Sequence, residues 1–266
     1  MLKLFFIYLL FIFLSFSEQA IAKKNLIKDA VDNPFRNEIN KSRDKYRNPV
    51  ETLNFFGLRR DKKVLEIVPG RGWYTEIISK YMHGTDNFYV ATYENPSYAA
   101  EIINKIQKEF VDYFKKEEKK FGKLKYVLID DQFRVKNYEN YFDLILTFRN
   151  THNFLDQKKS ENIFKSFHKS LKKNGILGLV QHRADESSNY NFQKGYVKES
   201  FLVKHVEKHG FELIDKSEIN ANLKDLKNYE KGVWTLPPRL SEGEKNKSYY
   251  LSIGESDRMT LKFKKR

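Results

Sequence analysis

Glu66, Gly70 and Gly72 sit together in VLEIVPGRGWYTEII, residues 64–78. An apolar run carries a carboxylate near its end, two glycines follow, and a helical pattern begins. Glycine lacks a Cβ, so it suits a backbone that turns sharply or lets a ligand come close. A helix opening from such a turn offers free N–H groups and the positive end of its dipole. The dinucleotide fingerprint G-x-G-x-x-G asks for a third glycine three residues on, and Thr75 stands there instead. Glu66 puts negative charge where a pyrophosphate site wants none. The combination suits a ligand with a cationic end, although Glu66 could also cap the next helix and the glycines could serve the turn alone.

The elements that must position this turn alternate along the chain. KVLEIV reads as a first strand, and WYTEIISKYM as a helix with Tyr74, Ile77, Ile78 and Tyr81 at helical spacing. NFYVATY, LKYVLID, YFDLILTF, GILGLVQH, FELIDKSEI and RMTLKFK are the further strands. Helices are expected over about 97–120, over 157–172 with an end near Asn174-Gly175, and over 196–209 with Gly210 closing it. NPVETLNFFGL is a leading helix ended by Gly57. Such alternation predicts a parallel sheet with crossover helices. Residues 221–256, between the last two strands, are too long for an ordinary loop and read as an insertion folded over the sheet.

In an open α/β sheet, ligands sit beyond the carboxyl ends of the strands. RNTHN follows the fourth strand and QHRA ends the fifth. Both should therefore open onto the crevice of the glycine turn, bringing Arg149, Asn150, His152, Asn153, His182 and Arg183 near one place. His152 or His182 is the candidate base, since imidazole titrates near neutral pH. Arg183 offers a fork of donors for an anionic acceptor. Helix caps and loop ties are the bland alternative for all of them. No spacing of His, Asp and Glu suggests a metal site, and there is no serine on a G-x-S-x-G elbow.

The segment VLEIVPGRG resembles the first motif of class I S-adenosylmethionine-dependent methyltransferases, and the match continues in order through nearly the whole chain. YVATYEN resembles the second strand and its acidic end, IDDQF the third motif, FDLILTFRNTHNF the fourth strand and following loop, and LKKNGILGLVQHRA the fifth strand with its entry turn. RNTHN, GVWTLPP and GESDRMTLKF are similar to a narrower group of exported predicted methyltransferases of undefined substrate. The resemblance implies S-adenosylmethionine as cofactor. Its contacts would be Glu66, Gly70 and Gly72 at the turn, Glu94 at the ribose and Asp131 at the adenine. Arg149 and Asn150 would hold the cofactor or shape the acceptor pocket, and GVWTLPP could close over the site. It also implies the fold class: α/β, a Rossmann-like doubly wound seven-stranded sheet, mostly parallel with an antiparallel last strand, and helices on both faces. Two positions depart from the pattern. Val68 stands at the usual first glycine, and a β-branched residue resists positive φ, so the turn should enter differently. Tyr93 stands at the usual second-strand acid, and Glu94 follows it.

Three functions compete. A methyltransferase holds its acceptor, a small molecule or another partner that the sequence does not identify, in line with a sulfonium methyl. A non-catalytic ligand-binding protein could use the same scaffold after losing the chemistry. A nicotinamide-dependent oxidoreductase is disfavoured by Glu66 and Thr75.

The chain of 266 residues begins with Lys3 and an apolar run from Leu4 to Leu14, and Ala20-Ile21-Ala22 follows before Lys23-Lys24. That is the pattern of a signal peptide over 1–22, shorter than the roughly 20 apolar residues of a membrane span; an uncleaved anchor is the alternative. The expectation is an exported, periplasmic chain over 23–266, forming one domain with a helical lead at 34–60. Its membrane contact would be the export signal only. There is no cysteine, so disulfides and thiol chemistry are excluded. The net charge is +14, but the lysines are scattered, and no specific nucleic-acid binding is expected.

Overall fold

Seven strands form one sheet in the order β3-β2-β1-β4-β5-β7-β6. They are β1 (Val64–Ile67), β2 (Phe88–Tyr93), β3 (Lys125–Ile129), β4 (Phe142–Phe148), β5 (Leu171–His182), β6 (Phe211–Ser217) and β7 (Arg258–Lys265). The computed structural model describes residues 26–94, 101–189 and 192–266. The leader at 1–22 and the first residues of the helix expected from Ser97 lie outside them. Strands β1 to β5 pair in parallel, and β7 runs antiparallel to both β5 and β6. This is the mixed Rossmann-like sheet of a methyltransferase fold. The order reverses between β1 and β4, where such sheets open a crevice.

Central strands read as unbroken apolar runs because helices cover both faces, and every residue of β1 and β2 is buried. Side chains alternate along a strand. Leu65 and Ile67 face one layer, which contains Ile163, Phe164, Phe167, Leu202 and Val206. Val64 faces the other, with Leu53, Phe56, Ile77, Ile78, Phe110 and Phe114. Glu66, two residues from Val64, shares that second side.

The helices supplying these layers are α1 (Pro49–Phe56), α2 (Trp73–Met82), α3 (Glu101–Lys116), α4 (Thr151–Asp156), α5 (Ser160–Ser170), α6 (Glu199–Glu207) and α7 (Lys247–Ile253). Pro49 opens α1 at a position where its missing N–H costs nothing, and Gly57 closes it at φ 76. Before it come single-turn helices Glu38–Lys41 and Asp44–Arg47.

Three local readings change. The helix expected to reach Lys120 ends at Lys116, and a separate turn, Glu118–Phe121, follows. The helix expected to end near Asn174 ends at Ser170, because Leu171 pairs with Phe142 and enters β5. RNTHN does not remain a loop: α4 begins at Thr151. The 221–256 stretch contains a 3-10 turn, Gly232–Thr235, and α7. Just ahead of it, the Asn220 amide donates to Thr52 Oγ1 and Thr260 Oγ1, each at 2.9 Å. That one side chain ties α1 to β7.

Candidate functional site

The turn after β1 is built from three left-handed residues: Val68 at φ 43, Gly70 at φ 62 and Gly72 at φ 81. The sequence expectation was that valine would avoid this region; it does not. A β-branched residue there carries about 1–2 kcal/mol of strain, so its surroundings must hold it. Val68 N donates to Ala91 O at 3.0 Å. The Asn150 amide donates to Ile67 O at 2.9 Å and Val68 O at 3.2 Å. Asn150 is thus a clamp from the end of β4 onto the entry to the turn.

The two glycines have different reasons. A Cβ on Gly70 would meet nothing within 4 Å, so this side of the turn is open. A Cβ on Gly72 would come 2.4 Å from Phe114 of α3. Gly72 lets α3 pack close, while Gly70 leaves room for a ligand.

Glu66 is 1% exposed. Thr75 Oγ1 donates to one carboxylate oxygen at 2.7 Å, and the other accepts nothing among the described residues. Burial pushes the carboxyl up to about 8, with the Thr75 bond opposing. A ligand ammonium beside it would return it to the ionised form. Thr75, which spoils the dinucleotide fingerprint, is therefore the carboxylate's sole partner among the described residues.

Glu94 and Asp131 lie on the rim beyond β2 and β3, both exposed. Glu94 pairs with Lys136 at 2.6 Å. Asp130 and Asp131 divide their work. Asp130 accepts the amides of Gln132 and Arg134 and holds a turn, whereas Asp131 bonds to none of the described residues. Gln107, unremarked in the sequence, grips the backbone of Tyr93 with both ends of its amide, at 2.8 and 2.9 Å, and so fixes the end of β2.

Beyond β4 and β5 the two histidines come together. His152 and His182 are buried, their rings 5.7 Å apart, and Trp234 of GVWTLPP sits edge-on to His152 at 5.3 Å. Gln181 Nε2 donates to Gly195 O at 2.8 Å and lies 3.2 Å from His152 Nδ1. With the amide oriented by that carbonyl, His152 Nδ1 is the acceptor, an assignment drawn from the network. His182 Nδ1 meets Ser256 Oγ at 2.5 Å. Burial lowers His152 to about 4 with help from Arg149, opposed by Gln181 Oε1, 3.4 Å from Nδ1, which would accept from the charged ring. Burial, then His152 and Arg149, holds His182 well below its ordinary range. Both rings are neutral at pH 7.

Arg183 donates from Nε and Nη2 to Asp257, from Nη1 and Nη2 to Glu218, and from Nη1 to Glu199. The fork expected to hold an anionic acceptor is filled by the chain's own carboxylates. Arg149 behaves in the opposite way. Its backbone stands at φ 63, its N–H donates to Val180 O at 2.7 Å, and its guanidinium has no partner among the described residues.

Four residues escaped sequence reading: Arg43, Arg47, Glu255 and Arg258. Glu255 accepts from Arg43 Nε at 2.6 Å, Arg47 Nε at 3.0 Å and Arg258 Nη1 at 3.2 Å. Burial opposes ionisation of Glu255, but Arg47, Arg258, Arg43 and Arg149 together hold it well below the usual carboxylate range. GESDRMTLKF contains two of these residues, and nothing in the lead singled out the other two.

A cavity of about 440 Å³ lies between residues 130–139 and α5. None of the turn residues, His152, His182, Arg149 or Arg183 lines it, so volume alone does not locate the site. No group of His, Asp and Glu among the described residues is placed to hold a metal ion. No helix among them is long and apolar enough to cross a membrane.

The sequence matches no protein-family model and no curated protein. Solved structures share the fold. An S-adenosylmethionine-dependent methyltransferase from Aquifex aeolicus superposes with a TM-score of 0.55 at 14% identity, covering 91% of this chain and 98% of that one. The [4+2]-cyclase SpnF gives 0.55 at 13% identity, over 81% and 78%. An S-adenosylmethionine-dependent methyltransferase from Methanosarcina mazei gives 0.50 at 15%, over 80% and 96%. At these identities the likeness is one of fold.

Proposed function

We propose that this chain is an S-adenosylmethionine-dependent methyltransferase acting on a small-molecule acceptor. One observation carries the reading. Glu66 is a buried carboxylate with no countercharge among the described residues, beside an open glycine turn at the switch point of a fold shared with such enzymes. The residues fit the cofactor: Glu66 would take its ammonium group, the backbone at Gly70 its close approach, Glu94 its ribose hydroxyls and Asp131 its adenine amine. When bound, the cofactor supplies an electrophilic methyl group on a sulfonium.

The chain's own part is to exclude water and to align the acceptor in line with that methyl. Asn150 keeps the turn in shape, while Trp234 and the two histidines wall the acceptor side. Either imidazole is neutral and can accept a proton. His182 is the better base, because Ser256 can accept from its Nδ1 and leave Nε2 free, whereas Gln181 occupies Nδ1 of His152. With both rings held below their ordinary range, His152 at about 4, turnover at saturating cofactor should be flat between about pH 6 and 8. His182→Ala and His152→Ala should fold and bind cofactor, and at least one should lose roughly a hundredfold or more in turnover. Wild-type rates in both would mean that positioning alone does the work.

Calorimetry and thermal shift on residues 23–266 test the cofactor. S-adenosylhomocysteine should bind and stabilise, NAD should not, and Gly70→Val should abolish the effect. A folded wild-type chain that gives no heat with S-adenosylmethionine or S-adenosylhomocysteine refutes the reading. The same fold in SpnF, a cyclase by its description, leaves one alternative open: a non-catalytic protein that binds a ligand on this scaffold. Cofactor binding with no transfer to any acceptor would establish that alternative. We further propose that the chain is one of the exported group and acts in the periplasm after cleavage at Ala22. N-terminal sequencing from the native host should start at Lys23, and an intact Met1 would make residues 1–22 an anchor.

A further inference from the structure

The arginines behind the histidines are out of balance. Arg43, Arg47 and Arg258 converge on one carboxylate, Glu255, and Arg149 lies within electrostatic reach of all of them. Four guanidinium groups share a single anion. Arg47 and Arg258 are 1% and 3% exposed, too deep for water to screen them freely. Arg47 Nη2, Arg43 Nη2 and Arg258 Nε are buried and make no hydrogen bond. The Trp73 ring covers one face of Arg47, its centroid 4.7 Å away, but a ring face leaves most of the N–H donors unsatisfied. Asp257, the next acid along, is already held by Arg183 and Lys227.

Buried donors without acceptors and unpaired buried charge are both costly. A fold that keeps them while straining the backbone at Arg149 has a use for them. Two oxygens of a carboxylate or phosphate match a guanidinium fork. We propose that the Arg47–Arg149–Arg258 cluster binds the anionic group, carboxylate or phosphate, of the acceptor.

The cluster reaches from the start of α2, where Arg47 lies against Trp73, to the histidines beyond β4 and β5. His182 senses Arg149, Arg258 and Arg47, whereas only burial and Thr75 act on Glu66. The cluster therefore acts on the histidines beyond β4 and β5 and not on Glu66. Arg258 and Glu255 also line a half-open cavity of about 230 Å³ with Lys45 and Lys224, which adds positive charge on a solvent-facing side. The chain's net charge of +14 would draw an anion toward it. Calling the ligand an acceptor rests on the methyltransferase reading; the anion site itself does not.

The test is thermal stability of residues 23–266 in sodium phosphate against sodium chloride of matched ionic strength, with and without S-adenosylhomocysteine. Phosphate should stabilise the wild-type chain, and its effect should add to that of S-adenosylhomocysteine. Arg149→Asn keeps a residue that tolerates positive φ but removes the unpaired charge. It should melt at or above the wild type without ligand and bind phosphate about tenfold more weakly or worse. A merely structural arginine would instead melt lower and keep the phosphate response, and that result overturns the proposal. No phosphate effect in a chain that still binds S-adenosylhomocysteine also overturns it, leaving the cofactor reading intact. Competition between the two ligands would give the cluster to the cofactor's own carboxylate and defeat the acceptor assignment. A phosphate response without any binding of S-adenosylhomocysteine would defeat the methyltransferase reading and leave the anion site standing.

Discussion

At the scale of single residues, Glu66 decides how stability depends on pH. Its carboxyl is neutral in the folded chain up to about 8, against an ordinary 4.5. Between those values the folded state holds a proton that the unfolded state has lost, so stability falls as pH rises through that window. The contribution is whole below 4.5 and gone above about 8. Glu66→Gln removes the titration. It should match the wild type near pH 4 and exceed it by up to a few kcal/mol near pH 9, as read from urea midpoints. Bound S-adenosylmethionine should cancel the slope in the wild type, since its ammonium favours the ionised form. Parallel pH profiles for Glu66→Gln and wild type without ligand would sink this account of the carboxylate.

At the scale of elements, the turn between β1 and α2 is where two demands meet. Gly72 answers to packing and Gly70 to the ligand, and their alanine variants should separate accordingly. Gly70→Ala meets no atom within 4 Å and carries only left-handed strain, about 1–2 kcal/mol. Gly72→Ala adds a contact of 2.4 Å with Phe114, and overpacking of that kind costs roughly 1–3 kcal/mol more. Denaturant titration should find Gly72→Ala the less stable, and calorimetry should find Gly70→Ala the weaker binder of S-adenosylhomocysteine. Equal losses of stability would mean that α3 yields at Phe114. The turn also shows the limit of local propensity. Val68 avoids φ 43 in isolation, yet bonds from Asn150 and to Ala91 fix it there. A six-residue helix such as α4 is too short to show a period, and Leu171 left its helix because a strand partner, Phe142, was waiting.

At the scale of the whole molecule, segments far apart in the chain assemble the site. Arg43 and Arg47 come from the lead, and the Glu255 they share lies 212 and 208 residues away. Arg183 braces the same region by joining the end of β5 to Glu218, Asp257 and Glu199. Arg183→Met should strip Asp257, 2% exposed, of one of its two cations. With Lys227 remaining and Glu218 exposed, a loss of roughly 2–4 kcal/mol is expected, less than for a sealed pair. Arg183→Lys should recover only part of it, having no fork. A change within about 0.5 kcal/mol, as for an ordinary surface site, would show that the arginine is free for a ligand after all.

What the sequence determined by itself was whatever depends on neighbours along the chain. The unbroken runs of β1 and β2, the helical spacing of Tyr74, Ile77 and Ile78, and the placing of Gly70 and Gly72 after a carboxylate were enough for the alternating strands and helices and the crevice, while the antiparallel last strand came from the family resemblance and the strand order from the structure. These signals are local because strand and helix periods repeat within a few residues. Tertiary structure decided how each polar side chain is used. His152, His182, Arg149 and Arg183 were all visible as polar residues at strand ends. Only packing showed that two are buried and neutral, one is consumed by carboxylates and one has no partner among the described residues. Burial and countercharge set those states, and both come from residues tens of positions away, such as Ser256 and Asp257, each 74 residues from its partner, which no local pattern encodes.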